Sequence, residues 1–181
     1  YPNKELSERI GAAKVKSALY RHRLKMEDIE QRHREAAKEI GTLSDRDTFM
    51  LGVGVYIGEG SKAIEEVRIV NSNPAIIRIG VCWLRKFCRI KDEHIRITIH
   101  AYPDTGISKS LRFWSKQTKI PLTQFGKTII DNRSKKSDRK YKRLPYGTAS
   151  LYVRGNGTLE RGVKSLHRKI IGWIENTEKQ F

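Results

Sequence analysis

The pattern of apolar and polar residues divides the chain into a highly charged first quarter and a longer remainder with regular apolar periods. Residues 4–40 are predicted to be mostly helical, but the stretch 14–25 is rich in basic residues and nearly empty of large aliphatic side chains. A segment with so little apolar surface cannot bury a core of its own. We therefore expect residues 1–43 to form a basic helical arm or linker and residues 44–181 to form the folded domain.

The longer part alternates between helical and strand-like periods. An apolar segment predicts a helix over 45–59, with Ser44 as its N-cap. Three later helices are predicted, at 74–90, 108–119 and 158–175. The first of them should begin with Asn73 as its cap and Pro74 in its first turn. Strands are predicted where polar and apolar residues alternate, at 65–72, 94–102, 124–130 and 148–155. This order of elements predicts an α+β fold.

The helix at 45–59 contains the most unusual pattern, since residues 49–62 read FMLGVGVYIGEGSK. Glycines at 52, 54 and 58 remove side chains, so a partner helix is able to approach closely. Each of them costs about 1 kcal/mol of helix propensity relative to alanine. Because almost no polar face precedes Glu59, we expect this helix to be buried nearly all round. The alternative is an ordinary core helix with a solvated terminal carboxylate and Gly60 as its C-cap.

This segment resembles the signature motif of the LAGLIDADG homing endonucleases. Gly54 matches the central glycine of the motif, Glu59 its metal-binding acid, Gly60 its final glycine and Ser61 the serine that often follows. The chain departs from the motif in two places. Ile57 stands where many members have aspartate or glycine, and the acid is glutamate rather than the commoner aspartate.

The resemblance extends over residues 43–175, which look like a group of small prokaryotic LAGLIDADG-like proteins. Four landmarks carry it in the same order: EGSK, VNSNP, FWSKQTKIPLTQF and a terminal GWI. It implies a LAGLIDADG homing-endonuclease-like αββαββα core with an extra helix between the third and fourth strands. In that fold a saddle-shaped sheet lies along the DNA groove, and its outward-facing residues read the bases.

One copy of the motif implies a homodimer in which two motif helices meet. The expected contact residues on each helix are Leu51, Gly52, Val55 and Tyr56. The resemblance also implies Mg²⁺ or Mn²⁺, held by the Glu59 carboxylate and the backbone carbonyl of Gly58. Mg²⁺ takes few protein ligands and keeps several waters, so one carboxylate per copy is enough. Such an ion assists phosphodiester hydrolysis by stabilising charge on the attacking and leaving oxygens.

The supporting catalytic residues are less well fixed by the motif, and our candidates are Asn71, His100 and Lys127. They would orient water or neutralise the phosphate. For each a simpler role remains open. Asn71 is suited to a structural turn beside the helix cap, His100 to a DNA contact from a strand, and Lys127 to a phosphate contact.

Charge supports a nucleic-acid partner independently. The chain has 37 Lys and Arg against 20 Asp and Glu, a formal charge of +17, and such a field favours polyanions through counterion release. No run of 18 apolar residues and no secretory segment occurs, which argues against a membrane. We expect double-stranded DNA and a second copy of the chain as partners, no membrane, no small-molecule substrate, and an intracellular, cytoplasmic, prokaryotic location.

Most of the positive charge lies after residue 44, and its densest stretch is 133–143, RSKKSDRKYKR. Such a run is either a solvated loop or a mobile arm that becomes ordered on phosphates. The predicted DNA-binding residues are Lys62, Arg68, Arg96, Thr98, Lys127, Arg133, Lys135, Lys136, Arg139, Lys140, Lys142, Arg143 and Arg154.

These observations favour a metal-dependent, site-specific DNA endonuclease that acts as a homodimer on double-stranded DNA. The alternative is a non-catalytic, DNA-binding transcriptional regulator that kept the LAGLIDADG-like fold and lost cleavage. An acid at the end of the motif helix separates the two, and Glu59 is present. An RNA-binding or splicing-assisting maturase would use the same basic surface.

Overall fold

The computed structural model describes residues 4–103, 105–131, 144–155 and 162–181. The chain divides into two compact units, Tyr1–Ser44 and Asp45–Phe181. The first unit consists mainly of one long helix, α1 (Lys4–Ile40). The second combines helices with a four-stranded sheet. The predicted α+β class is therefore confirmed.

The elements of the second unit are, in chain order, α2 (Asp45–Glu59), β1 (Arg68–Asn71), α3 (Pro74–Lys86), β2 (Ile95–Ala101), α4 (Ile107–Thr118), β3 (Ile129–Ile130), β4 (Thr148–Val153) and α5 (Gly162–Glu178). Helix α2 has the predicted bounds, whereas β1 and β3 are shorter than predicted. Residues 122–124 form a short 3-10 helix, which includes the first residue of the predicted third strand, Gln124.

The start of α3 is formed as the sequence predicts. The Asn73 side chain accepts a hydrogen bond from the Ala75 amide at 2.9 Å, and Pro74 occupies the first turn. The helix ends earlier than predicted, at Lys86. Arg89 has φ 54°, a left-handed conformation that does not continue a right-handed helix.

The strands are ordered β1-β4-β2-β3, with antiparallel pairs except for β2 and β3, which are parallel. Within the described residues only one strand, β1, lies between α2 and α3, whereas the resemblance implies two. Gly60 forms a single antiparallel bridge to Ile69 on the side of β1 away from β4. The position of a second strand beside β1 is therefore marked only by this bridge at Gly60.

The sheet has one face covered by helices. Ile69, Leu151 and Ile97 lie side by side on this face, because Leu151 pairs with both, and all three are buried. Helix α3 packs on them through Gly80, where an added Cβ would lie 3.0 Å from the side chains of Ile69 and Leu151. The helix-covered face is therefore the hydrophobic core of the second unit.

An aromatic cluster joins α2, α3 and α5. The ring of Phe49 lies 5.0 Å from that of Trp173, and Trp173 lies 5.7 Å from Trp83, both pairs edge to face. Trp83 is fully buried. Trp173 comes from the terminal GWI sequence, so this landmark anchors the last helix against the motif helix.

Candidate functional site

Glu59 is the last residue of α2 and is exposed to solvent. Among the residues that the structure describes, its carboxylate has no hydrogen bond or ion pair. The chain turns sharply after it. At this turn Gly60 lies so close to Tyr56 that an added Cβ would lie 2.4 Å from the Tyr56 ring and 2.5 Å from the Tyr56 carbonyl oxygen. Only glycine fits there, and Glu59 is consequently presented at a fixed helix end.

The loop after Glu59 is held from two sides. The Tyr56 hydroxyl donates to the Ser61 carbonyl at 2.9 Å, and Nε2 of the buried His167 lies 3.2 Å from the same oxygen. Glu65 pairs with Arg168 at 2.5 Å, and the Arg168 hydrogen bond lowers the pKa of the Glu65 carboxyl. The backbone next to Glu59 is thus tied to α5, a long-range contact that no local sequence pattern indicates.

Lys62 also serves the end of α2. Its Nζ donates to the carbonyls of Ile57 at 2.7 Å and Gly60 at 3.2 Å. A cation at the C-terminus of a helix is favourable because carbonyls without partners accumulate partial negative charge there. The predicted DNA contact of Lys62 would therefore compete with a contact inside the chain.

The predicted dimer contacts are wrong for three of four residues. Gly52, Val55 and Tyr56 face the core of their own chain, since all three are buried. An added Cβ on Gly52 would lie 1.9 Å from the Trp83 ring, which shows that this glycine admits α3 and not a second copy. The sequence predicts one stretch of helix, with glycines at 52, 54 and 58, that a partner helix approaches, but Gly52 faces the core of its own chain.

Helix α2 nevertheless has an exposed apolar side. Leu51 and Ile57 are 42% and 37% exposed, and added Cβ atoms on Gly54 and Gly58 would meet nothing within 4 Å. These four residues recur along one side of the helix, three or four positions apart, and form one stripe. We call them the exposed α2 stripe. The prediction of a helix buried nearly all round is thus wrong on this side.

The second face of the sheet carries most of the predicted strand contacts. Register and alternation put Arg68, Arg96, Thr98 and His100 on the face opposite the helices. Their neighbours on β4 are Thr148, Ser150 and Tyr152. We call these seven residues the open sheet face because they lie opposite the helices; six of them are half-buried and Ser150 is fully buried. The structure therefore brings together three predicted DNA-binding residues and His100.

Two arginines of the open sheet face are already positioned by neighbours. Arg68 lies 2.7 Å from Glu66 through Nε, and Nη2 donates to the same carboxylate at 2.9 Å. Its guanidinium lies 5.4 Å from the centre of the Tyr152 ring. Arg96 donates to the Glu93 and Ile95 carbonyls at 2.6 and 3.0 Å. Both side chains are held in place, and of the two only Arg68 has its charge balanced by an acid in these contacts.

The structure does not gather the candidate catalytic residues around Glu59. His100 lies on β2, about three strand spacings or ~14 Å across the sheet from Gly60, and Lys127 precedes β3, about four spacings or ~19 Å away. Asn71 lies nearer, but its Oδ1 accepts the Asn73 amide at 2.7 Å and its face of the sheet is the helix-covered one. Asn71 therefore has the structural role of a turn beside the helix cap.

The remaining predicted contacts have simpler positions. Arg154 and Lys127 are exposed. Seven predicted contacts lie outside the described residues: Arg133, Lys135, Lys136, Arg139, Lys140, Lys142 and Arg143.

In the described part of the chain, no group of three or more His, Cys, Asp or Glu side chains is placed to hold a metal ion. No described helix is both long and apolar enough to cross a membrane.

Comparison with protein-family models, with curated proteins and with solved structures finds no match to this chain. The functional interpretation therefore depends on the residues themselves and on the motif resemblance.

Proposed function

We propose that the chain is a metal-dependent, site-specific endonuclease that cuts double-stranded DNA as a homodimer. The observation that carries the proposal is Glu59, a carboxylate without a partner among the described residues, held at a fixed helix end. Exposed carboxylates are often solvated without a partner, so the distinctive feature of Glu59 is its place at the end of the motif helix, directly before the turn at Gly60. Glu59 remains available for a ligand outside its own chain.

The donors at this position fit Mg²⁺ or Mn²⁺ as part of a shared site. Glu59 offers a carboxylate, and the Gly58 carbonyl belongs to the last turn of α2, where carbonyls lack partners within the helix. Both are hard oxygen donors of the kind these ions prefer. Because the described residues of one copy hold no larger ligand group, DNA phosphates, water and a second copy supply the rest. The ion would supply charge stabilisation for phosphodiester hydrolysis.

The exposed α2 stripe is the surface on which the second copy would pack. Leu51 and Ile57 lose apolar exposure in such an interface, while Gly54 and Gly58 leave room for the partner backbone. Each copy would then contribute one Glu59 near the dimer axis, one for each DNA strand. Two helices that pack this closely lie about 8–10 Å apart.

The open sheet face would contact the DNA groove. Arg96 and Thr98 on β2 are suited to base edges, and Arg68 to a phosphate after it leaves Glu66. His100 and Lys127 lie too far from Glu59 of their own copy to act on the same phosphate, so we assign them DNA contacts. The catalytic roles expected for them and for Asn71 are not part of this proposal.

A regulator without nuclease activity is the second candidate, and one observation favours it. Lys62 already places a cation on the carbonyls of Ile57 and Gly60 at the end of α2. A tethered ammonium reduces the need for a metal ion at this helix end. In such a protein the open sheet face and the dimer would be retained, and Glu59 would have no chemical role.

The DNA-binding part of the proposal is tested by selecting bound duplexes from a random pool. Arg96→Ala should lose preference at particular bases, while Arg112→Ala, an exposed arginine of α4, should leave the selected sequence unchanged. Ile57→Glu should abolish the fixed spacing between the two half-sites, because it separates the two α2 helices. A selected sequence that neither Arg96→Ala nor Ile57→Glu alters would contradict the proposed surface.

A further inference from the structure

Helix α1 contains a regular row of uncharged residues among its many charged ones. Nine positions follow alternating spacings of three and four residues, which is the spacing of a and d positions in a coiled coil. They are Ala12, Val15, Leu19, His22, Met26, Ile29, His33, Ala36 and Ile40. None of them is Lys, Arg, Asp or Glu, although α1 contains ten basic and seven acidic residues. We call these nine residues the α1 seam.

Four of the five large apolar residues of the seam are exposed to solvent, and the fifth, Ile29, is half-buried. Val15, Leu19 and Ile40 are 60%, 64% and 67% exposed, and Met26 is 49% exposed. The seam spans about 42 Å at 1.5 Å per residue. The described part of the unit Tyr1–Ser44 contains no second helix or strand on which this surface packs. An apolar stripe of this length is unfavourable in water unless another surface covers it.

Ion pairs of α1 use residues outside the nine seam positions, including Glu30 and Arg32 on its flanks, and support the helix locally. Arg34 pairs with Glu30 at 2.7 Å, and Arg32 pairs with Asp28 at 3.3 Å and Glu35 at 2.6 Å. Such exposed pairs are each weak. They keep the charged faces compatible with a helix while leaving the seam free of charge. This division between faces is typical of a helix that pairs with another helix.

We propose that the α1 seam pairs with the same seam of a second copy as a parallel, two-stranded coiled coil. Parallel pairing sets Lys25 at a g position opposite Glu30 of the second copy at an e position, once on each side. The neighbouring g and e positions hold Ala18 and Ala37, so no like charges face each other there. The antiparallel register that sets Met26 opposite Ile29 brings Lys25 beside Arg32. It also brings Arg23 beside Glu30, so only parallel pairing is free of a repulsive pair.

The seam predicts a weak, concentration-dependent dimer. His22 and His33 replace apolar residues at two of the nine positions, and Ala12 and Ala36 bury little surface. Polar groups at a and d positions reduce coiled-coil stability and favour one register. The pairing does not depend on DNA, metal or the exposed α2 stripe, and it would hold two copies together before they meet DNA.

The first test compares two exposed leucines of the same helix. Leu19 belongs to the seam, whereas Leu24 lies on the opposite side at an f position. The full chain with Ile57→Glu, which blocks the exposed α2 stripe, is studied by sedimentation over a range of concentrations. Adding Leu19→Glu should weaken dimerisation about tenfold or more, and adding Leu24→Glu should leave it unchanged.

Replacing both histidines by leucine tests the seam in the opposite direction. His22→Leu with His33→Leu in the same Ile57→Glu chain should strengthen dimerisation about tenfold or more, which a merely unfolded helix would not do. The coiled coil is overturned if the chain with His22→Leu, His33→Leu and Ile57→Glu stays monomeric. It is also overturned if Leu24→Glu disrupts the dimer as much as Leu19→Glu does. Loss of nuclease activity alone would leave these sedimentation results unaffected.

Orientation is tested by oxidation of Leu19→Cys in a Cys82→Ser chain. Parallel pairing sets position 19 against itself, so a disulfide between the two copies should form readily, while Leu24→Cys should not crosslink. Cys88 is half-buried and burial raises the pKa of its thiol to about 12, so we expect it to oxidise slowly. Absence of the Leu19→Cys crosslink in a chain that still dimerises through the seam would overturn the parallel arrangement.

Discussion

Gly52 on α2 packs directly against Trp83 on α3, with room for a hydrogen but not for a Cβ atom, which would lie 1.9 Å from the indole ring. The glycines of this helix therefore differ in what they contact. Gly52 permits packing inside the chain, whereas Gly54 and Gly58 face solvent. This difference separates the contribution of the motif helix to folding from its proposed contribution to dimerisation.

Alanine at Gly52 and at Gly54 should have opposite effects on the free energy of unfolding. Gly52→Ala forces a methyl group into the fully buried Trp83 and should destabilise the fold by about 1–3 kcal/mol. Gly54→Ala should stabilise the helix by up to about 1 kcal/mol, since it adds propensity without a clash. Urea unfolding at a concentration where the chain is monomeric measures both. Equal effects would contradict the observed packing of α2 on α3.

The buried Tyr56 hydroxyl predicts a decline of stability at high pH. Burial raises the pKa of Tyr56 from 10.0 to about 12. The folded state then keeps a proton that the unfolded state has released, so stability is full below pH 10 and falls as pH rises towards about 12. Tyr56→Phe should lack this part of the decline and should cost about 1 kcal/mol at neutral pH. The check is urea unfolding of both proteins at several pH values.

An absorbance titration of the tyrosine hydroxyls tests the raised pKa of Tyr56 directly. The chain has seven tyrosines. If all of them ionise together near the ordinary pKa while the chain is folded, the burial of Tyr56 and its bond to Ser61 are contradicted.

The two cysteines should differ sharply in reactivity. Cys82 is exposed, whereas burial raises the pKa of the Cys88 thiol to about 12 despite the opposing charge of Lys169. Only the thiolate is nucleophilic, so a thiol-specific reagent should modify the folded chain once, quickly. Cys82→Ser should abolish this fast reaction, and Cys88→Ser should leave it intact. Two fast reactions in the folded wild type would show that α3 packs differently.

The basic stretch at 133–143 is tested by the salt dependence of DNA binding. Changing Lys135, Lys136, Arg139 and Lys140 to Ala should weaken binding to all duplex sequences alike. It should also flatten the dependence of log K on log salt by about 0.9 for each phosphate that the variant no longer neutralises. The matched control removes four exposed basic residues of α3 and α4, namely Arg78, Lys109, Arg112 and Lys116. Equal slopes in the two variants would identify the stretch as a solvated loop.

Local sequence signals predicted the elements of this chain well. The bounds of α2, the Asn73 cap and the strands at 95–101 and 148–153 follow from periodicity and from helix-start residues, which act over a few neighbours. The third strand is shorter than predicted, because QFGKTII has strand propensity while only its last two residues form a continuous pairing with β2, apart from a single bridge between Phe125 and Ile97. Pairing depends on distant residues that propensity does not include.

The candidate site was predicted only in part for the same reason. Glu59 and the open sheet face follow from the motif and from alternation along β1 and β2. The side of α2 that faces the core depends on Trp83, 31 positions after Gly52, and nearly continuous apolar residues leave no local signal of it. His167 was missed because its contact with Ser61 joins residues 106 positions apart.

The most direct test of the proposed endonuclease compares wild type, Glu59→Gln and their equal mixture on the selected DNA with Mg²⁺ or Mn²⁺. Glutamine keeps the size of the side chain but removes the charge that binds the ion, so the variant should fold and bind DNA yet leave it intact. Wild type should cut both strands, and mixed dimers should nick only one. Wild type that cuts neither strand, or Glu59→Gln that cuts as fast as wild type, would contradict the assignment.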